Sequence, residues 1–141
     1  MTPNDLINTA PDGQEKSTDL AAKVTASWEG PWGLKVSPVY RYQAGQNFGR
    51  TIVARLNYSS SVRIPAEPLN ARRQDNVSLI DVRIERVTSV RNTRLSPFID
   101  VYNVTNANPI QNTSWSSGSS FLRPLAIVPP RVLRIGVKFD W

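Results

Sequence analysis

The last eleven residues constrain this chain more than any other feature. Leu133, Ile135, Val137, Phe139 and Trp141 are apolar, while Arg134, Gly136, Lys138 and Asp140 between them are not. Alternation with period two puts every apolar side chain on one face of a β-strand, whereas a helix would scatter them around its axis. A half-buried strand of a water-soluble protein shows the same pattern. Two features set this one apart. The pattern runs to an aromatic final residue, where soluble chains usually carry a frayed polar tail. Its length also fits a bilayer: ten steps from Arg131, at about 3.3 Å each and tilted about 40°, rise on the order of 25 Å, the height of the apolar band of a transmembrane barrel. Arg131 shares the lipid-facing parity but falls at the rim, where a cation meets headgroups.

Transmembrane barrels join their strands by short turns on one side and long loops on the other, so each earlier segment has a forced direction. Asn106 to Pro130 is rich in Asn, Ser and Pro and reads as a long outer loop. Leu95 to Thr105 reads as a strand, Ser89 to Arg94 as a short polar turn, and Asn76 to Val87 as the next strand. In that strand Ile80, Val82 and Ile84 face one way, and Asp81, Arg83 and Glu85 the other. Ala44 to Asp75 is again long, and its middle, Thr51 to Tyr58, reads as a strand-like extension above the membrane. Gly33 to Gln43 alternates, with Pro38 in its interior as an objection because proline cannot donate a ladder bond. Glu29 to Trp32 is a tight turn, and Leu20 to Trp28 is the first strand.

The sequence thus predicts an all-β fold: an antiparallel up-and-down meander of about five strands over 19–141, the C-terminal segment of a large transmembrane β-barrel. Residues 1–18 are expected to be the remnant of an outer loop, poorly ordered. Leu133, Ile135, Val137, Ile80, Val82 and Ile84 would face lipid. Arg41, Asp81, Arg83, Glu85, Lys138 and Asp140 would face the lumen, with Asp100 turned inward beside them because a carboxylate at mid-depth in lipid is costly. Trp28 and Trp32, with Phe139 and Trp141, would form one aromatic girdle and Tyr40 and Tyr42 the other. The competing architecture is a soluble β-sandwich that binds a glycan or a protein; it needs a second sheet, with both apolar faces turned inward.

Composition narrows the chemistry. There is no cysteine and no histidine, which removes disulfides, thiolate metal sites and the commonest general base. The carboxylate pairings, Asp81 with Glu85 and Asp100 beside Ser96, read as lumen charges, so no catalytic, cofactor or metal site is expected and the chain is not read as an enzyme. The 17 Lys and Arg against 11 Asp and Glu give a charge of +6, but the arginines are spread singly and form no nucleic-acid patch. Met1-Thr2-Pro3-Asn4-Asp5 is not the charged-then-apolar start of a secretory leader. An outer-membrane protein should have one, and the reading therefore expects a chain without its natural start.

Arg134, Gly136, Phe139 and Trp141 make a polar-x-Gly-x-x-aromatic-x-aromatic ending that resembles the C-terminal signal read by the barrel-assembly machinery of bacterial outer membranes. Arg41-Tyr42-Gln43-Ala44-Gly45-Gln46-Asn47-Phe48-Gly49-Arg50, Arg72-Arg73-Gln74-Asp75-Asn76, Asp100-Val101-Tyr102-Asn103-Val104-Thr105-Asn106, Phe121-Leu122-Arg123-Pro124 and Pro129-Pro130-Arg131 follow in order. From about Asp19 to Trp141 the chain resembles the Oar-like, carboxypeptidase-regulatory-domain-bearing relatives of TonB-dependent outer-membrane receptors. The resemblance implies a 22-strand barrel with an internal plug, set in outer-membrane lipid and moving cargo across it. Against that pattern, this stretch of sequence is expected to hold only the last strands of the barrel, without the plug or the energy-coupling motif. Five strands cannot close a ring, so the chain is expected to be a fragment, inactive in transport by itself.

Overall fold

The computed structural model describes residues 18–141. The expectation for residues 1–18 therefore falls almost wholly outside the described residues. The chain divides into two compact units, one made of Ala21–Gln43, Val77–Asn108 and Pro129–Trp141, the other of Ala44–Asn76 and Pro109–Val128 with residues 18–20.

The first unit is one antiparallel sheet. Its strands are β1 (Ala21–Thr25), β2 (Trp28–Glu29), β3 (Leu34–Gln43), β8 (Val77–Arg86), β9 (Thr88–Val90), β10 (Thr93–Tyr102) and β13 (Val132–Asp140). The main path is β1-β3-β8-β10-β13, with β2 paired to β3 and β9 to β10. Consecutive long strands are therefore neighbours, as in a meander. The connections alternate: a 3-10 turn at Pro31–Gly33 and a two-residue turn at Arg91 and Asn92 on one side, long excursions on the other. Arg91 takes φ 56°, the hand that suits a turn between twisted strands. Gly33 takes φ 72°, and a Cβ there would run into the Val87 carbonyl, whose own N–H donates to Gly33 O at 2.8 Å. Glycine is required at that turn.

Pro38 fits without breaking the central ladder. Its carbonyl accepts the N–H of Ala26 at 3.1 Å. In a strand, N–H and C=O of one residue point the same way, so the donor that proline lacks faces the edge, where β1 gives way to β2. The full β3–β8 register, Leu34↔Arg86 through Gln43↔Val77, is intact.

The register sorts the side chains. Directly opposed residues share a face. From Ile135↔Ile99, Ile99↔Ile84, Ile84↔Val36 and Val36↔Trp28, one face is apolar across the whole sheet. It also holds Val24, Pro38, Tyr40, Ile80, Val82, Pro97, Val101, Leu133, Val137 and Phe139. The other face carries Lys23, Lys35, Arg41, Asp81, Arg83, Glu85, Asp100, Arg134, Lys138 and Asp140.

The second unit holds β4 (Asn47–Phe48), β5 (Thr51–Leu56), β6 (Ser59–Pro65), β7 (Arg72–Arg73), β11 (Ile110–Thr113) and β12 (Pro124–Ile127), paired β4-β7, β5-β6 and β11-β12. The two segments expected as long loops thus carry secondary structure of their own. The strand-like middle at Thr51 to Tyr58 is β5, but it has a partner, β6, that the sequence reading missed. Asn106 to Pro130 contains a two-stranded pair. A four-residue strand such as Ile110–Thr113, with one apolar residue, offers no alternation to be seen as a strand. The first expected strand, Leu20 to Trp28, is interrupted at Ala26 and Ser27, and the expected turn at Ser89 to Arg94 shrinks to two residues because Val90↔Thr93 and Ser89↔Arg94 still pair.

Candidate membrane surface and its charged reverse

The large sheet is inverted relative to a soluble core. Its buried residues are polar: Ser96, Asp100 and Asn103 are all 5% exposed or less. Its apolar face is open, with Ile135 at 71%, Leu133 at 62% and Val24 at 60% exposure. Among the described residues, the two buried apolar side chains are Phe48 and Val128, both in the other unit. Soluble sheets bury one apolar face against a second layer; this unit contains no second sheet.

Each carboxylate at the middle of the charged face is held by a cation. Asp100 sits opposite Arg83 on β8 and Arg134 on β13. Arg134 donates through Nε at 2.9 Å and a terminal nitrogen at 2.5 Å, and Arg83 lies 3.8 Å from the other oxygen. Arg83 also approaches Glu85 at 3.4 Å. Asp81 takes Arg41 at 2.5 Å with one oxygen and the Asn103 N–H at 2.8 Å with the other. Lys138 pairs with Asp140 at 3.2 Å, and Lys35 with Glu29 at 3.3 Å. Of the carboxylates considered from sequence, Asp81 and Asp100 are thus paired with arginines on neighbouring strands, and Glu85 with Arg83 on its own strand.

Phe98 belongs to this face, between Asp100 and Ser96. Its ring lies under the guanidinium of Arg83 at 4.1 Å and near that of Arg134 at 5.5 Å. It fills the place where Gly136, directly opposite, has no side chain: a Cβ on Gly136 would come within 2.5 Å of the ring. Two members of the terminal pattern, Arg134 and Gly136, thus serve Phe98 and Asp100. The other two, Phe139 and Trp141, are exposed, at 58% and 98%. Of the aromatic residues expected as girdles, Trp28 shares the apolar face, as do Tyr40 and Tyr42, while Trp32 is in the turn, 84% exposed with φ 60°.

At the long-connection end a polar lock closes β10 onto its exit. The Asn103 side chain donates to Ala107 O at 2.8 Å and Pro129 O at 2.9 Å and accepts from Ala107 N–H at 2.9 Å. Asn106 accepts from Arg131 N–H at 3.0 Å. Asn103 and Asn106 both take positive φ, which asparagine tolerates better than most residues.

In the second unit, Phe48 stacks on Trp115 at 5.6 Å. Arg50 and Arg72 both lie over Phe121, at 5.5 and 5.2 Å, and both bind Glu67. The Glu67 carboxyl is held below its ordinary value, first by the hydrogen bond from Arg72, then by the Arg50 N–H and the two positive charges, against the cost of desolvation. Three of the five segments that carried the family resemblance meet here, through Phe48 and Arg50, Arg72, and Phe121.

Comparison of the chain with protein-family models, with curated proteins and with solved structures found no match to any of them.

Proposed function

We propose that this chain is a C-terminal portion of the β-barrel of an outer-membrane receptor of the TonB-dependent, Oar-like kind. The inverted sheet carries the reading: apolar side chains open on one face, carboxylates paired with arginines on the other, and Asp100 buried among them. In lipid this is the favourable arrangement. Hydrocarbon replaces the missing apolar layer, and the charged face lines the barrel interior. Leu133, Ile135, Val137, Ile80, Val82 and Ile84 then contact outer-membrane lipid, and Arg41, Asp81, Arg83, Glu85, Lys138 and Asp140 turn toward the lumen. The short turns lie at the periplasmic rim with Trp28.

In this reading Arg134, Gly136, Phe139 and Trp141 are the contact for the barrel-assembly machinery. The sheet has two open edges, on β1 and β13, and an open edge in hydrocarbon leaves backbone groups unpaired. Further strands must therefore complete the ring, together with a plug, before any cargo crosses. The function proposed for this portion is to supply wall, outer loops and assembly signal; transport belongs to the whole receptor.

The test is site-directed nitroxide labelling of the full chain in detergent micelles, at Ile135→Cys and at Lys138→Cys. A lipophilic relaxation agent should reach position 135 and a water-soluble one position 138. Equal access of the water-soluble agent to both positions, in protein that stays monomeric when detergent is withdrawn, would refute the membrane reading and favour a soluble sheet protein.

A further inference from the structure

The second unit contains an open cleft of about 300 Å3 whose lining includes Arg63, Asn112, Thr113, Ser114, Trp115 and Ser116. Its chemistry is one-sided. No acidic residue lines it. Arg50 and Arg72 are both paired with Glu67, whereas none of the ion pairs among the described residues includes Arg63.

Unanswered donors gather beside this cleft. Among the described residues of this unit, the buried side-chain polar atoms without a partner are the indole N–H nitrogen of Trp115 and the amide nitrogen of Gln74. Both are donors. Trp115 borders the cleft, and Gln74 borders a neighbouring one of about 210 Å3; the two clefts share Thr113. Buried donors left without acceptors are costly.

The walls are fixed by backbone bonds. Thr51 N–H donates to Trp115 O at 2.8 Å, Ser117 N–H to Thr51 O at 2.7 Å, and Ser114 N–H to Arg123 O at 2.9 Å. The Thr51 hydroxyl adds a bond to Trp115 O at 3.2 Å. Phe48 stacks against the Trp115 indole. A cleft held this way needs little ordering when it takes a ligand.

We propose that this cleft binds a small hydroxylated carboxylate, the size of one acidic sugar ring. The planar guanidinium of Arg63 suits a carboxylate, which it can meet with two parallel hydrogen bonds. Asn112, Thr113, Ser114 and Ser116 suit ring hydroxyls, which both give and accept. Trp115 and Leu125 offer apolar surface to the C–H face of a ring. The volume is at the lower end of small-ligand sites, enough for one ring and too small for a chain of several. The inference stands on the second unit alone and does not depend on the environment of the large sheet.

Calorimetric titration of the full chain, folded in detergent micelles with its β-sheet circular dichroism verified, tests it with three probes. D-galacturonate should bind with a dissociation constant of about 1 mM or tighter. D-galactose, the same ring without the carboxylate, should bind at least tenfold more weakly, and so should sodium sulfate. Arg63 is exposed on β6, so Arg63→Met should leave the circular dichroism unchanged and weaken galacturonate at least tenfold. Asn112→Ala should weaken galacturonate but not sulfate. Silence with galacturonate, equal binding of galactose or of sulfate, or an unchanged affinity in Arg63→Met would each overturn the proposal.

Discussion

At the residue scale, two positions show how the charged face is built. Gly136 is conspicuous because a strand interior normally disfavours glycine. Its reason is Phe98: the ring occupies the space a Cβ would need and lies under Arg83, with Asp100 next to it on the same strand face. Gly136→Val should therefore destabilise the sheet by about 1–3 kcal/mol, as overpacking does, while Gly136→Val with Phe98→Ala should recover part of the loss. Urea unfolding of both variants in micelles measures the difference. Glu67 offers a pH test. Its folded carboxyl is held below its ordinary value, chiefly by Arg72, so its contribution is present above the unfolded pKa and is lost as pH falls through the lowered folded one. The melting-temperature gap between the natural chain and Glu67→Gln should shrink as pH is taken from about 6 to about 3. A constant gap would mean that the Arg50–Glu67–Arg72 cluster adds nothing through its charge.

At the element scale, β10 is the strand that joins the two chemistries. It shows β13 and β8 an apolar set, Pro97, Ile99 and Val101, and a polar set, Ser96, Asp100 and Tyr102. Parity in the sequence left its facing ambiguous, because Phe98 and Tyr102 share parity with Asp100. The register settles it: Asp100 lies opposite Arg134 and Arg83, on the charged face. The aromatic rings there cover the guanidinium groups, with Tyr102 5.8 Å from that of Arg134. Where β10 ends, Asn103 replaces three backbone partners at once. Asn103→Ala should cost about 1–3 kcal/mol and should speed amide hydrogen exchange at Ala107 and Asn103 more than at residues in the middle of β10. Uniform acceleration along β10 would show that the lock does not act locally.

At the scale of the whole molecule, the free-energy problem is the large open apolar face. Exposed apolar patches of this extent mark an interaction surface, and the proposed reading assigns hydrocarbon as what covers it. Ile135 is near the middle of β13 and is the most exposed apolar residue of that strand. Ile135→Arg should lower the yield of micelle-folded chain, corresponding to about 2–4 kcal/mol for a cation at mid-depth. Lys138→Gln, on the reverse face, should leave the yield nearly unchanged. Gel electrophoresis and circular dichroism of the refolded fractions separate the two. Equal losses would point to a general defect in sheet formation and would remove the distinction between the faces.

The sequence by itself determined the long strands of the large sheet and their two faces. Period-two alternation over nine or ten residues is a long signal, and it carried β3, β8 and β13 with their neighbours and the sidedness of Leu133, Ile135, Val137, Ile80, Val82 and Ile84 against Arg41, Asp81, Arg83, Glu85, Lys138 and Asp140. Turn length gave the order of the meander, since chain direction reverses at each short turn. Tertiary structure alone decided who meets whom. That Asp100 is shared by Arg83 and Arg134, that Phe98 fills the place of Gly136, and that Phe48, Arg50, Arg72 and Phe121 converge depends on register and on loops that fold back across dozens of residues. The loop strands β5–β6 and β11–β12 stayed hidden for the same reason: short pairs owe their conformation to a partner and to backbone bonds such as Thr51 to Trp115, which no local periodicity records.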